Sequence, residues 1–369
     1  MNARALPSAF PTRPPARRLL HLDAMKALAA QLIVLHHLAA YGPIAETVQT
    51  LWPALIAWLY EYGRMAVQVF LVVGGFLSAR ALAPAGRPLQ GRPLELLWRR
   101  YLRLVLPFFA AVLLTLACSA LVAPLLPELV PASVSAPQLL AHALLLHDVL
   151  GYEALTVGAW YVAMDLQLFA LMLALLWLAR ACGPAARWLG PVLLLLVCAA
   201  SLYLFNRDAG LDIWAPYFFG AYGLGALMHW LCLSARPGLG LSLLGLLALG
   251  ALMLDFRERL LLALLTAGLL FWLQRRHEQG RAAVLLRGPL AGAVAHLGTH
   301  SYALFLVHFP ICLLLNALFE HRDPEHPWAA VAAMLAAWGL SNLAALPFYR
   351  WIEAPAGRLR LGWARTQEA

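Results

Sequence analysis

The sequence predicts an all-α membrane protein, a polytopic helical bundle with about ten transmembrane helices and both termini in the cytoplasm. Of its 369 residues, 63% are hydrophobic and only 12% are charged, whereas soluble proteins carry roughly 25% charged residues. Apolar runs long enough to cross a bilayer recur along the chain. Because most basic residues fall on one predicted side of the membrane, the net charge of +9 indicates topology rather than a nucleic-acid surface.

The predicted spans are apolar runs separated by polar segments that contain Pro and Gly. They lie at residues 22–41, 62–82, 99–123, 159–180, 188–205, 213–232, 239–254, 259–274, 295–318 and 328–349. Two further apolar runs, 51–60 and 138–150, are too short to span and are expected to be interfacial or re-entrant. The expected organisation is a tail of residues 1–20, a membrane domain of residues 21–357 and a tail of residues 358–369.

The distribution of Lys and Arg supports an even number of spans. With the N-terminus inside, only five of the 27 basic residues fall in outer segments, namely Arg64, Arg207, Arg257, Arg259 and Arg322. Cytoplasmic loops of membrane proteins are enriched in Lys and Arg. The asymmetry therefore predicts two cytoplasmic termini and places the segment 124–158, which has no Lys or Arg, outside as the longest outer loop.

The first predicted span carries three ionisable side chains on one face. Lys26 and His37 are eleven residues apart, about three helical turns, and Asp23 lies within about 40° of the same stripe. The rise from Lys26 to His37 is about 16 Å, roughly half the hydrocarbon thickness. Ionisable groups at that depth are costly and usually functional. His37 is therefore a candidate general base for a hydroxyl, with a packing hydrogen bond as the alternative. His36 points about 100° away and is expected to pack or to orient His37.

Charged groups also occur at the predicted inner ends of two other spans. Arg99 and Arg103 share a helix face, and Arg100 flanks it. Such a guanidinium cluster suits a phosphate-rich ligand, but an anchor to lipid headgroups explains it equally well. Arg350 and Glu353 are three residues apart and are expected to pair and brace the cytoplasmic face.

Further polar residues lie within apolar sequence. Asp165 and Gln167 follow Trp160 in the fourth span, and His308 lies in the ninth. Each could form a helix–helix contact or line a functional cavity. The cavity is favoured for Asp165 and Gln167, whereas both possibilities stay open for His308. No zinc-ligand spacing, phosphate-binding Gly loop or Gly-x-Ser-x-Gly motif occurs, so no metal site is predicted.

The order of these motifs resembles the acyltransferase-3 family of integral membrane acyltransferases. Asp23, Lys26 and His37 are similar to the family pattern Asp-x-x-Arg followed by ten residues and a His. Five further segments resemble family motifs in the same order: Val67–Leu77, Arg99–Pro107, Trp160–Phe169, Ser301–Pro310 and Ile352–Pro355. Three residues depart from the family pattern, because Lys26 replaces an Arg, Gly74 replaces a Ser and Ala354 replaces a basic residue.

The resemblance implies transfer of an acyl group, acetyl by default, from cytoplasmic acyl-CoA to a hydroxyl of an envelope or exported carbohydrate. The expected location is the bacterial inner membrane. The catalytic candidates are then His37 and Asp23, and the candidates for binding acyl-CoA are Lys26, Arg99, Arg100 and Arg103. The candidates for binding the acceptor are Trp160, Asp165, Gln167 and His308. The expected partners are acyl-CoA (acetyl-CoA by default), a carbohydrate or glycolipid acceptor and membrane lipids, without nucleic acid or a metal.

Two other classes of function are compatible with ionisable residues inside spans. A proton-coupled transporter of an envelope glycan or a lipid-linked precursor would also place His, Asp and Lys there. The sequence shows no repeated half with paired broken helices, which many transporters have. A non-catalytic membrane scaffold would instead predict that substitution of His37 alters only stability.

Overall fold

The computed structural model describes residues 19–84, 88–280, 289–322 and 326–359. Within these ranges the chain forms α-helices joined by turns and short 3-10 segments, and it contains no β-strand. The predicted all-α class is confirmed. The helices before residue 185 are α1 (Leu20–Ala40), α2 (Pro43–Leu51), α3 (Pro53–Tyr62), α4 (Val67–Leu82), α5 (Pro93–Val122), α6 (Ala136–Ala143) and α7 (Ala159–Ala181).

The remaining helices follow in chain order. They are α8 (Ala186–Tyr203), α9 (Ala215–Leu233), α10 (Gly238–Leu254), α11 (Glu258–Glu278), α12 (Pro289–Thr299), α13 (Ser301–Arg322) and α14 (Pro327–Phe348). Helix α14 runs on through a π-helical turn, Tyr349–Glu353, into Ala354–Ala356. The described part of the predicted membrane domain is thus helical almost throughout.

Helices occupy every predicted span, although one span is divided between two helices. Among the described residues, six helical stretches are long and apolar enough to cross a membrane: Pro53–Leu82, Pro93–Val122, Ala159–Ala181, Gly183–Arg207, Ser301–Arg322 and Pro327–Ala356. Helices α1 and α2, bent by 93°, form a seventh if they count as one span. Helix α10 is apolar but shorter, and α9 and α11 occupy the predicted spans 213–232 and 259–274.

The structure revises two predicted boundaries. The apolar run 51–60 is not a separate short element, because α3 continues through a 3-10 turn, Gly63–Ala66, into α4. The predicted span 295–318 is divided, since α12 ends at Thr299 and α13 begins at Ser301. The Ser301 hydroxyl donates to the carbonyl of Gly298 at 3.0 Å at this break.

Helices α4 and α9 pack backbone against backbone through two glycines. A Cβ atom at Gly75 would overlap the carbonyl of Tyr222, and a Cβ atom at Gly225 would overlap the carbonyl of Val72. At Gly74 a Cβ atom would meet only the Tyr222 ring, at 3.4 Å. Small residues permit such close helix approach in membrane bundles. Gly75 and Gly225, rather than Gly74, therefore determine the spacing of α4 and α9.

The segment 124–158 folds back against the bundle between α5 and α7. The Tyr101 hydroxyl donates to the carbonyl of Ala143 at 2.7 Å, and the buried hydroxyls of Thr115 and Thr156 are 3.2 Å apart. Gly158 has a φ of +76°, and a side chain there would overlap the ring of Phe305. Since Phe305 lies on the turn of α13 before His308, the end of this segment reaches the same level of the bundle as His308.

Candidate active site

Helix α1 carries the ionisable residues that the sequence placed on one stripe. It is α-helical from Leu20 to Ala40 without interruption, so the spacing of Lys26 and His37 keeps them on one face. The two residues therefore lie at opposite ends of the helix, separated by about 16 Å along its axis. His36 is turned away, with its Nδ1 3.1 Å from the carbonyl of Leu59 in α3.

The imidazole of His37 meets that of His308 across the interface between α1 and α13. Nδ1 of His37 lies 2.8 Å from Nε2 of His308, and the rings are nearly parallel with centroids 4.9 Å apart. His308 is fully buried, and its Nδ1 faces the carbonyl of Leu304 at 3.3 Å. A carbonyl can only accept, so Nδ1 of His308 carries the proton and Nε2 is its acceptor. Nδ1 of His37 then donates to His308, which leaves Nε2 of His37 as the basic nitrogen.

His37 lines a cavity of about 600 Å³. The wall is shared by α1, the start of α7, α13 and the folded-back segment, and includes His36, Tyr41, Glu153, Trp160, Tyr161 and Phe305. Aromatic side chains and polar or charged ones both contribute to the lining, and a cavity of this size can hold a small-molecule ligand. The basic Nε2 therefore belongs to a residue that lines a cavity with space for a ligand.

Two further imidazoles, those of His142 and His147, are buried in the folded-back segment. His142 donates from Nδ1 to the carbonyl of Gln138 at 2.9 Å and accepts at Nε2 from the amide of Leu155 at 3.0 Å. The ring of His147 stacks on that of His142, with centroids 4.2 Å apart. Burial lowers the pKa of both imidazoles to about 4. Both are therefore neutral at pH 7, as their surroundings require.

Charged side chains gather at the other end of α1. Nζ of Lys26 lies 2.9 Å from Oδ1 of Asp23, and the carboxylate of Glu353 interacts electrostatically with Arg103 and Lys26. Asp23 lies about 21 Å from His37 along the helix axis. Asp23 is thus placed to orient Lys26, and the structure does not bring it to His37.

The three arginines of α5 have different surroundings. Arg99 pairs with Glu95 one turn earlier on the exposed face, and Arg103 is exposed. Arg100 forms an ion pair with Asp165 of α7, with Nε of Arg100 3.0 Å from Oδ1 of Asp165. Only 23% and 13% of these two side chains are exposed. Arg99 and Arg103 are exposed and therefore accessible to a phosphate-rich ligand, whereas the guanidinium of Arg100 is largely buried against Asp165.

The other residues predicted to bind the acceptor are separated. The side chain of Gln167 bridges to α9, with the amide of Ala215 donating to its Oε1 at 3.1 Å and its Nε2 donating to the carbonyl of Ile213 at 3.2 Å. Trp160 lines the cavity that contains His37. The structure therefore places Trp160 and His37 on the wall of one cavity, His308 in contact with His37, and Asp165 and Gln167 in contacts between helices.

Besides the Arg100–Asp165 ion pair, two other relationships in the site were not predicted from the sequence. Arg350 was the expected partner of Glu353, whereas the charges that act on the Glu353 carboxylate are those of Arg103 and Lys26, and its Oε2 has no hydrogen-bond partner among the described residues. His37 and His308 were singled out separately and not linked. The available signal was that both are imidazoles in apolar spans, which predicts a polar partner for each without saying which. Among the described residues, no group of three or more His, Cys, Asp or Glu side chains is arranged to hold a metal ion.

The fold and the site define a multi-pass helical membrane protein with a paired-imidazole site inside its bundle. The acyltransferase-3 family model, described as an acyltransferase domain, matches residues 19–346. The chain therefore belongs to the acyltransferase-3 family and is an integral membrane acyltransferase, which confirms the resemblance seen in its motifs. No curated protein and no solved structure matches the chain.

Proposed function

We propose that the protein transfers an acyl group, acetyl by default, from cytoplasmic acyl-CoA to a hydroxyl of an envelope or exported carbohydrate. The observation that carries the proposal is the hydrogen bond between His37 and His308 at the wall of a 600 Å³ cavity. It holds a neutral imidazole, with its basic Nε2, in a site large enough for a sugar. The proposed location is the inner membrane of a bacterium.

In the proposed reaction His37 is the general base and the acceptor hydroxyl is the nucleophile. Nε2 of His37 removes the hydroxyl proton as the oxygen attacks the thioester carbonyl of acyl-CoA. The new C–O bond forms, the C–S bond breaks, and the imidazolium returns the proton to the departing CoA sulfur. His308 accepts a hydrogen bond from Nδ1 of His37 throughout, so it fixes the tautomer and orientation of the base, as the third member of a catalytic triad does.

The donor is proposed to enter from the opposite end of α1. Lys26, Arg99 and Arg103 would bind the phosphates of acyl-CoA, because guanidinium and ammonium groups form strong charge-assisted hydrogen bonds with phosphate oxygens. Arg100 is held by Asp165 and would position the neighbouring arginines on α5. The pantetheine arm would then extend about 16 Å along α1 from Lys26 to His37.

Mass spectrometry of envelope carbohydrates tests this function. Cells that make the wild-type protein should carry an acyl mass increment that is absent from cells making His37→Ala. The matched control is His321→Ala, because His321 is an exposed imidazole at the end of α13 that does not line the site. Both variants must be present in the membrane at the wild-type level.

The results separate the classes of function. An increment that depends on His37 but not on His321 supports acyl transfer and identifies both the group and the acceptor. An increment that persists at the wild-type level in His37→Ala would overturn the proposed role of His37. If the wild type adds no acyl group to any envelope carbohydrate, the proposed acceptor class is wrong.

A further inference from the structure

A second cavity, of about 620 Å³, adjoins the one that contains His37. The two cavities share three lining residues, Arg64, Val67 and Trp160. The second is lined from the starts of α4, α7, α9 and α11, which lie at the same end of the bundle as His37. The two cavities are therefore neighbours, with Trp160 on the wall of both.

The lining of the second cavity combines aromatic rings with charges of both signs. The rings of Trp160 and Phe218 stack there with centroids 5.5 Å apart. The cavity is also lined by three guanidinium groups and three carboxylates: Arg64, Arg257, Arg259, Asp148, Asp212 and Glu258. Balanced charges of this kind do not favour an ionic ligand, because an anion would face the three carboxylates and a cation the three guanidinium groups.

A polyhydroxyl ligand suits this lining. Each hydroxyl both donates and accepts hydrogen bonds, so a sugar can donate to carboxylates and accept from guanidinium groups at once. Aromatic rings offer large rigid surfaces for the apolar C–H face of a sugar ring. Asp148 and Asp212 both line this wall, and burial raises the pKa of the Asp148 carboxyl group.

Part of the wall is fixed before any ligand binds. The guanidinium of Arg257 donates to Oδ1 of Asn206 at 2.8 Å and to the carbonyl of Leu202 at 3.0 Å. Arg259 lies over the ring of Tyr217, with its Cζ 4.9 Å from the ring centroid. Side chains that are already ordered lose little conformational entropy on binding.

We propose that the second cavity binds a further sugar unit of the acceptor, so that the protein acylates an oligosaccharide or polysaccharide rather than a free monosaccharide. The inference rests on the proposed function and extends it from the reacting sugar to the next sugar unit of the same carbohydrate. The reacting hydroxyl lies at His37, and the next unit lies against Trp160 and Phe218.

The test measures how acylation depends on acceptor length. Acceptor carbohydrate from cells lacking the protein is cleaved, separated into fractions of one to four sugar units, and supplied with labelled acyl-CoA to membranes containing the protein. For the wild type, the half-saturating acceptor concentration should fall about tenfold between one unit and two or more. In Asp212→Asn and Phe218→Ala this gain should be lost, while the half-saturating concentration of acyl-CoA stays at the wild-type value. The matched control is Glu46→Gln, because Glu46 is an exposed carboxylate on α2 that lines neither cavity.

Three results would overturn the second subsite: no gain with length in the wild type, the same gain in the two variants as in the wild type, or loss of the gain in Glu46→Gln as well. Failure of the proposed function is distinguishable from these results. In that case no fraction accepts label from acyl-CoA, whatever its length.

Discussion

Nδ1 of His37 lies 2.8 Å from Nε2 of His308, although 271 residues separate the two in the sequence. The contact joins α1 to α13 and determines which nitrogen of His37 is basic. His308 itself is buried and does not line the cavity. The roles of the two imidazoles therefore differ, since His37 faces the ligand and His308 positions His37.

Two substitutions of His308 should show whether its hydrogen bond to His37 or only its side-chain volume supports acyl transfer. Gln can accept the hydrogen bond from Nδ1 of His37 through its Oε1, so His308→Gln should retain transfer within about tenfold of the wild type. Leu fills a similar volume but cannot accept, so His308→Leu should lose about a hundredfold, the scale of a misoriented general base. Acyl transfer in membranes is the measurement, with His321→Leu as the control. Wild-type activity in His308→Leu would contradict the positioning role.

Loss of one partner of the Arg100–Asp165 ion pair should destabilise the bundle. Asp165→Asn leaves a largely buried guanidinium without its counter-charge, which should cost on the order of 2–3 kcal/mol, less than a fully buried pair because both groups retain some exposure. The double variant Arg100→Met with Asp165→Leu should recover most of that loss. Thermal unfolding in detergent checks both. If Asp165→Asn is as stable as the wild type, the pair is not structural.

Two adjacent glycines should respond differently to the same substitution. Gly75→Ser should disrupt the packing of α4 on α9, because its Cβ atom would overlap the backbone of Tyr222, and overpacking costs about 1–3 kcal/mol or more. Gly74→Ser, whose Cβ atom meets only the edge of the Tyr222 ring, should fold normally. Yield and unfolding temperature of the two purified variants provide the comparison. Equal tolerance of both would show that the helices are not in backbone contact.

The imidazoles of His142 and His147 should make the folded-back segment less stable as the pH falls. Their folded pKa of about 4 lies below the ordinary value of 6.5, so between these values the unfolded segment binds protons that the folded segment does not. The stability is complete above pH 6.5 and is lost progressively towards pH 4. The raised pKa of Asp148 has the opposite effect, because it favours the folded segment as the pH falls. The pH dependence of a variant that lacks one imidazole must therefore be compared with that of the wild type.

His147→Phe provides that difference. Neither ring nitrogen of His147 has a hydrogen-bond partner among the described residues, and Phe keeps an aromatic ring stacked on His142. The fall in unfolding temperature between pH 7 and pH 4.5 should therefore be smaller in His147→Phe than in the wild type. An identical fall in both proteins would mean that His147 is not buried as a neutral group.

Contacts within one helix could be predicted from the sequence, whereas contacts between distant helices could not. The stripe of Asp23, Lys26 and His37 follows from helical periodicity alone, and α1 confirms that the segment is one helix. The pairs His37–His308 and Arg100–Asp165 depend on how helices far apart in the sequence pack. Periodicity indicates that a buried polar group needs a partner but does not identify it.

The position of the folded-back segment could likewise not be predicted from the sequence. Its apolar run 138–150 and its lack of basic residues predicted an outer element too short to span. Its route to Phe305 depends on Gly158, whose backbone conformation and lack of a side chain permit the close approach. A glycine in a sequence does not indicate which side chain packs against it. The sequence therefore did not predict the cavity at His37.

Transfer across inside-out membrane vesicles tests the central claim most directly. Labelled acyl-CoA is added to the exposed cytoplasmic face, and carbohydrate acceptor is enclosed in the lumen. The proposed mechanism predicts label on the enclosed carbohydrate and free CoA outside with the wild type, a decrease of about 10²–10⁴-fold with His37→Ala, and wild-type transfer with His321→Ala. Equal labelling by the wild type and His37→Ala, at equal protein levels, would contradict the account of His37 as the base that moves the acyl group.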